Sequence, residues 1–548
     1  MTAQRKRLVL IACILGTAVV TVDATVVNVA LPAIAQDLGG GLAGQQWTSN
    51  AYLVTLGSLL LIGGSLGDVF GEKRVFVLGV AGFGATSVLC ALAPTIELLV
   101  LGRALQGVAG ALLTPAALAV IVTVFPPDER GKAVGAWTAW GGIGTVLGPL
   151  IGGQLVDSAS WRWIFAINLP LVIGTIFLIL RVVPEGRERD PDAKVDVVGA
   201  TLCALGLAGV TFGLIEQPLK GFGDPVVLLP LVLGAVLFVS FLVYEERGTD
   251  SPMLPLDLFK RRNFAAGNVE TFAMYGGLGM LFFFLVLFLQ QVAGWDALAA
   301  GASGIPVTLV MLLLSQRFGA MADRRGPRFF MGVGPLIAAC GLVLLLRMDA
   351  DVNYATDLLP AMLLFALGLS MTVAPLTATV LADADEHNAG IASGVNNAVA
   401  RVAALITIAA MGTVVAAQFR SELDSNLGRL ATRPDLAPAL SEARRQPLAR
   451  VAPAKTPPPV RAAVAQATED ASVHAFHVGI GASTLLVALG GVLGLVGIRN
   501  PRRQVESRGC PGGQLAGVPE EASHQSPCDW QRAGLAADGA GAQAPTQA

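Results

Sequence analysis

The chain has 548 residues, 54% of them hydrophobic and 14% charged, with a mean hydropathy of +0.65, outside the range of soluble domains. Its formal net charge of −2 gives no basic excess of the kind that points to nucleic acid. The six cysteines form no CxxC pair or ligand spacing, so a metal centre or disulfide framework is set aside as well.

An all-α integral membrane protein is therefore expected. Apolar runs of the length that crosses a bilayer core, about 20 residues, are predicted at 8–30, 47–67, 75–93, 97–122, 133–156, 162–183, 197–216, 226–244, 264–291, 300–320, 329–347, 359–381, 390–417 and 473–497. The first follows Arg5, Lys6 and Arg7, is too long for a signal peptide and lacks a small-residue cleavage site before Pro32, so it reads as a membrane anchor. Lys and Arg accumulate on the cytoplasmic side of such proteins. Arg5 to Arg7, Lys73 and Arg74, Arg130 and Lys132, the basic residues of 181–194, Arg247 with Lys260 to Arg262, and Arg324 to Arg328 all fall on one face, against Arg162, Lys220 and Arg347 on the other. Both termini are thus expected in the cytoplasm. The Arg-rich link before the last span lies outside by this count, and long loops follow the charge rule weakly.

Charges inside spans cost about 2.5–3.5 kcal/mol on insertion scales, so each one asks for a reason. Asp23, in VDATVVNVALP, lies roughly 10 Å below the outer surface, and Arg103, in LGRALQGVAGA, roughly 9 Å below it at 1.5 Å per residue. The shared depth fits either a pair that relays protons or gates substrate, or a static tie between two helices. Gln106 stands one turn from Arg103 and either orients the guanidinium or bonds a helix backbone. In span five Gly144, Gly148 and Gly152 recur every fourth residue, with Gly153 beside them and Pro149 favouring a bend. That stripe admits another helix at close range and suits a seal on one side of a pathway. Arg401 is placed roughly 16 Å into span thirteen, with Asn396 and Asn397 about one turn earlier; together with Gln106 these are the candidate cavity residues. Arg401 can bind an acidic group or Asp23, or pair statically. Glu216 and Glu270 are expected to snorkel to the interfaces. His474 and His477 sit at a membrane edge without a third ligand, so no metal site is assigned.

Two loops spell nearly the same text. GSLGDVFGEKR at 64–74 contains Gly64, Asp68, Gly71 and Arg74; GAMADRRGPR at 319–328 contains Gly319, Asp323, Arg324, Gly326 and Arg328. Each carboxylate is expected to cap a helix or pair with the following Arg, latching the inner face. The first copy joins spans two and three and the second joins spans ten and eleven, an offset of eight helices. Two six-helix halves with two extra central spans account for it. The expected segments are residues 1–190, a six-helix half; 191–250, the two inserted spans; 251–417, five spans of the second half; 418–472, a long outer loop with a short helical stretch near 439–446; 473–500, the last span; and 501–548, a disordered tail rich in Gly, Ala, Gln and Pro.

With these residues in view, the chain resembles the major facilitator superfamily, in its fourteen-helix drug:proton antiporter branch of the EmrB/QacA type. The resemblance rests on DATVVNVALP ending span one, the GxLxDxxGxKR loop at 64–74, RxxQG at 103–107, GPxxGG at 148–153 and WRWIFAINLP at 161–170. It implies proton coupling through Asp23 and Arg103, a cytoplasmic gate at Asp68 and its repeat, and an antiporter seal at the span-five glycines. Position 69 is Val where the family usually has a basic residue, and span thirteen carries Arg401 where members that handle dications carry an acid. The resemblance implies a proton-coupled exporter of small lipophilic compounds, with the proton as coupling ion and no other cofactor, acting as a monomer in a bacterial plasma membrane. An importer or exporter of one metabolite and a transport-dead membrane sensor are the alternatives. No HExxH signature is present, and the four histidines are scattered.

Overall fold

The computed structural model describes residues 1–184, 195–249, 252–382, 389–450 and 456–500. The expectation of a disordered tail over 501–548 lies outside them. The first half contains α1 (Ala3–Leu38), α2 (Gly41–Phe70), α3 (Glu72–Ala91), α4 (Ile96–Val124), α5 (Pro127–Ser158), and the consecutive α6 (Trp163–Ala166) and α7 (Asn168–Val182). An inserted hairpin follows, α8 (Val197–Lys220) and α9 (Pro225–Arg247). The second half contains α10 (Arg262–Gln291), α11 (Ala297–Ala302), α12 (Ile305–Arg325), α13 (Pro327–Leu345), α14 (Leu359–Ala382), α15 (Ala389–Leu427), the short α16 (Ala437–Ala443) and α17 (Arg461–Gly497).

Among the described residues, twelve helices or helix pairs are long and apolar enough to cross a membrane. α2 and α5, of 30 and 32 residues, are of the same length, so the structure is compatible with fourteen crossings. Several helices run past their apolar stretches. α15 continues to Leu427 and α17 begins at Arg461, which shortens the link between them from both ends and leaves α16 near the helical stretch expected there. The span expected at 300–320 is broken at Ser303 and Gly304, between α11 and α12.

Helix starts follow local chemistry. Thr2, Thr95, Asp196, Asp224 and Asp296 each accept a backbone N–H of the first turn they precede, satisfying donors that have no partner within the helix. The repeated loops are single-residue turns. Gly71 has φ +92° and ψ 129°, and Gly326 has φ +90° and ψ 148°, conformations open essentially to glycine alone. In each loop that glycine's N–H returns to the helix behind it, at 2.8 Å to Gly67 O and to Ala322 O.

The repeat extends to packing. In the first half α1 lies against α5 and α7, α4 against α2 and α3, and α3 against α7; in the second half α10 lies against α15 and α17, α14 against α12 and α13, and α13 against α17. The α8–α9 hairpin packs on α2 and α15 across the seam. Its outer side is apolar and exposed, as at Leu229, Val232, Leu233 and Val236 of α9, and α7, α12 and α17 present similar faces. A water-soluble fold would bury such faces; in a bilayer they meet acyl chains.

Hydrogen bonds between the halves gather at the end that carries Asp37. Gln290 Nε2 donates to Val29 O at 2.9 Å and Gln46 Nε2 to Ile408 O at 2.7 Å. The Asp157 carboxylate accepts the N–H groups of Ala297 and Leu298 at 3.0 and 2.8 Å. At the opposite end, that of Gly71 and Gly326, the ties run within each half: Lys6 to Glu129, Arg5 to Val182 O, Arg262 to Gly497 O and Arg328 to Leu495 O.

Candidate functional site

Asp23 and Arg103 meet in the core of the first half. Asp23 is 0% exposed and Arg103 is 1% exposed. Arg103 Nη1 donates to Asp23 Oδ2 at 2.5 Å and to Gln106 Oε1 at 2.6 Å, while its Nε reaches the carbonyl of Thr48 at 3.1 Å. The guanidinium lies over the Tyr52 ring, 4.3 Å from its centre, a cation–π contact that gains strength when both groups are dry. The other Asp23 oxygen, Oδ1, accepts Gln106 Nε2 at 3.1 Å and Asn168 Nδ2 at 3.2 Å. Both amides also donate to Ser87 Oγ, at 2.9 and 3.3 Å.

Small residues make this convergence possible. A Cβ on Gly107 would meet Thr55 Oγ1 and the carbonyl of Tyr52, so its absence lets α2 approach α4. Thr55 Oγ1 bonds Ala104 O at 2.8 Å in that gap, and Thr48 O thereby comes within reach of Arg103. Gly102 plays the same part toward α3, where a Cβ would stand 2.8 Å from Cys90 Sγ. Five helices contribute to the site: α1, α2, α3, α4 and α7.

The arrangement is asymmetric in a way that matters chemically. Without Asp23, Arg103 still has Thr48 O, Gln106 Oε1 and the Tyr52 face; without Arg103, Asp23 has two amide donors and no counter-ion. Leaving a buried charge unpaired typically costs about 3–5 kcal/mol. With the acid neutral, the Arg103 guanidinium keeps these three neutral partners.

The α5 glycines pack beside the same turns of α1. A Cβ on Gly144 would come 2.9 Å from Thr21 Oγ1; on Gly148 it would strike Thr25 Oγ1 and stand 3.1 Å from Val22 O; on Gly152 it would strike Val26. The next stretch of α5 faces the second half. Gly153 lies under Leu298, and Gly301 of α11 sits against the carbonyl of Pro149, where a Cβ would be 2.6 Å away. One element thus touches both the acid-bearing helix and the seam between the halves.

The remaining sequence-derived residues lie elsewhere. Arg401 stands across from Gly57 of α2, half-buried, and has no hydrogen-bond or ion-pair partner among the described residues, so the expected pairing with Asp23 is not made; Asp23 is enclosed by its own half. Asn396 bonds Thr271 Oγ1 at 2.7 Å and Asn268 Oδ1 at 3.2 Å within the second half, and Asn397 is exposed and returns to Ser393 O. Asp323 is exposed and makes no ion pair among the described residues, and Arg328 Nε donates to Leu495 O. Arg74 and Arg324 are exposed and Gly319 is half-buried, while the side-chain positions of Gly64 and Asp68 lie outside the described residues. Glu216 behaves as an interfacial group, accepting Trp47 Nε1 at 3.3 Å with Lys220 at 3.5 Å. Glu270 does not snorkel: it is fully buried, because it faces a neighbouring helix. His477 bonds Met348 O, and no group of three or more metal-binding side chains is found among the described residues.

Sequence reasoning missed Asn168, Ser87, Tyr52 and the Thr48 carbonyl. Asn168 did carry a signal, as a lone amide inside WRWIFAINLP with apolar neighbours on both sides.

The sequence matches the Major Facilitator Superfamily over residues 13–408. The chain belongs to that superfamily. This member is 36% identical over 403 residues to the puromycin resistance protein pur8 of Streptomyces alboniger, covering 72% of this chain and 79% of that one. It is 33% identical over 413 residues to the tetracenomycin C resistance and export protein of Streptomyces glaucescens, covering 75% and 76%. Among solved structures its fold is similar to a bacterial homolog of the human lysosomal transporter spinster in an inward-facing, unoccupied conformation, with a TM-score of 0.61 at 18% identity, covering 92% of this chain and 100% of that one. As a major facilitator it is a multi-pass membrane transporter rather than an enzyme, and the two repeated halves are that superfamily's architecture.

Proposed function

We propose that this major facilitator is a proton-coupled efflux transporter of antibiotics or other small lipophilic compounds, exchanging substrate for protons by alternating access. The observation that carries the reading is the enclosed Asp23–Arg103 pair, in which the cation keeps three other partners when the acid is neutralised. The export function draws on the resistance and export roles in the names of its Streptomyces relatives. Proton drive is adequate, since one charge crossing 100 mV is worth about 2.3 kcal/mol.

The orientation that follows from Lys and Arg in the loops puts Gly71 and Gly326 on the cytoplasmic side of a bacterial plasma membrane, with both termini there and fourteen crossings. The halves are tied at the Asp37 end, so this conformation faces inward. Substrate enters between the halves from the cytoplasm, past Asn397 and Arg401, and Arg401 without a partner favours neutral or acidic compounds over dications. The glycines of α5 keep the outer end sealed while Asp23 exchanges its proton. We take the working unit to be one chain.

The test is resistance. An exporter-deficient bacterial host carrying this chain should survive raised concentrations of a subset of an antibiotic and dye panel. A host carrying Asp23→Asn at equal membrane abundance should not. Equal resistance from both forms would remove proton coupling through Asp23, and no resistance from the wild type to any compound would remove the export reading.

A further inference from the structure

Glu270 is the ninth residue of α10 and is enclosed on every side. It is 0% exposed, and neither Oε1 nor Oε2 has a hydrogen-bond partner. Its carboxyl looks onto α17, where a Cβ on Gly494 would stand 3.0 Å from Oε2. α10 and α17 run antiparallel in close contact along this line: a Cβ on Gly490 would be 3.2 Å from Ala273, and one on Gly497 would be 2.8 Å from Ala266. α13 closes the third side, with the carbonyls of Met331 and Gly332 against Gly494 and Gly491.

The surrounding elements bring no charge onto the carboxyl. The facing stretch of α17, GGVLGLVG, has no ionisable side chain. α14 presents Leu376 and Val380 to α10 at Gly267. α15 presents Asn396 to Asn268 and Thr271, on another face of α10, and sets the Cβ of Arg401 against Gly57, with the Arg401 charge acting on Tyr52 and Tyr275 and not on Glu270. Asp257 and Lys260, ahead of α10, are exposed and paired with each other at 2.6 Å. Two cations engage the last turn of α17: Arg262 Nε donates to Gly497 O at 2.8 Å and its Nη2 to Val496 O at 2.9 Å, and Arg328 Nε donates to Leu495 O. Gly497 is level with Ala266 and Gly494 with Glu270, so the Arg262 guanidinium stands one turn away, roughly 6 Å along the axis.

A carboxylate without a counter-ion or donor in such a place is far costlier than a neutral carboxyl, and a group so placed takes up a proton instead of staying charged. We propose that Glu270 is a second proton-binding site, in the second half, loaded in the conformation described and unloaded when the end of α17 shifts and releases Arg262. In that step the carboxyl O–H bond breaks, the proton passes to water, and the electron pair remains on the carboxylate. The new anion then pairs with Arg262, whose donors have left the α17 carbonyls. Arg262 is thus a positioning residue whose two sets of partners define two states. The inference deepens the proton-exchange reading by giving each half its own titrating acid, but it is read from the side chain and does not depend on transport.

The experiment is infrared spectroscopy of the purified full-length protein in lipid nanodiscs at neutral pH, in the region of the protonated-carboxyl C=O stretch. The wild type and Asp23→Asn should share a band that is lost in Glu270→Gln. Glu270→Asp, which keeps an acid at the position, should move the band without abolishing it, and serves if the Gln variant does not fold. A spectrum unchanged by either Glu270 substitution would overturn the proposal even if Asp23 couples transport to protons. Retention of the Glu270 band together with undiminished proton exchange in Asp23→Asn would leave this site standing and remove only the role given to Asp23.

Discussion

Asp23 holds its place through three donors on two other helices, and each donor is a separate test. Asn168→Ala removes one hydrogen bond to a buried carboxylate and brings nothing in its place. Hydrogen bonds to charged groups contribute about 1.5–3 kcal/mol, so the variant should unfold at a lower temperature in detergent; an unchanged midpoint would mean that Asn168 is not bonded to a charged acid. Arg103→Lys keeps the charge but loses the planar fork that serves Asp23, Gln106 and Thr48 together, and a point charge cannot replace that geometry. Transport should fall at least tenfold with membrane abundance unchanged, measured as drug accumulation in cells. At this scale the sequence was legible where residues are charged: Asp23 and Arg103 stand out in apolar runs, and equal depth predicts their meeting. Asn168, Ser87 and Tyr52 were not, because single uncharged polar residues in a helix bond to their own backbone as readily as to a distant partner. Glu270 was misjudged because distance from the end of an apolar run gives depth but not direction. Its face of α10 points at Gly494, and no local pattern marks which helix will cover it.

The elements explain why glycine recurs where it does. α5 lies on the turns of α1 that flank Asp23, and Gly148 leaves room for Thr25 and Val22. Gly148→Leu forces a branched side chain into that contact, an overpacking that costs about 1–3 kcal/mol. It should abolish resistance in cells that still carry the protein, and full resistance would contradict the role of the α5 contact. The three glycines in register announced a close helix contact correctly. Their partner, α1, and the onward contact of Gly153 and Pro149 with α11 depend on residues far away in the chain, and spacing alone does not reveal them. The repeated loops were the most legible elements of all, since Gly71 and Gly326 adopt one backbone conformation in both copies. The pairing of Asp323 with Arg328 offered beside the second copy is not made among the described residues, and Arg328 Nε donates to Leu495 O at the end of α17.

For the whole molecule, span counting and the offset between the two loops pointed to two halves with an inserted pair, and the matching contacts of the halves agree with that reading. Which end is closed was not legible, because both conformations of such a transporter share one sequence. The closed end depends in part on Asp157, whose carboxylate receives two N–H groups of α11. Removing it should shift the population toward opening at that end. A cysteine placed at buried Ala297 should react with an impermeant maleimide roughly tenfold faster when Asp157→Ala is added, the effect of about 1.4 kcal/mol. Equal rates would show that Asp157 does not hold the halves together.

The central claim, that a proton at Asp23 is exchanged for substrate, is met most directly in everted membrane vesicles energised to an acid interior. Adding a transported compound to wild-type vesicles should release protons from the interior, and Asp23→Asn vesicles containing the same amount of protein should show no such release. Substrate-driven proton movement of equal size in the Asp23→Asn vesicles would contradict the account.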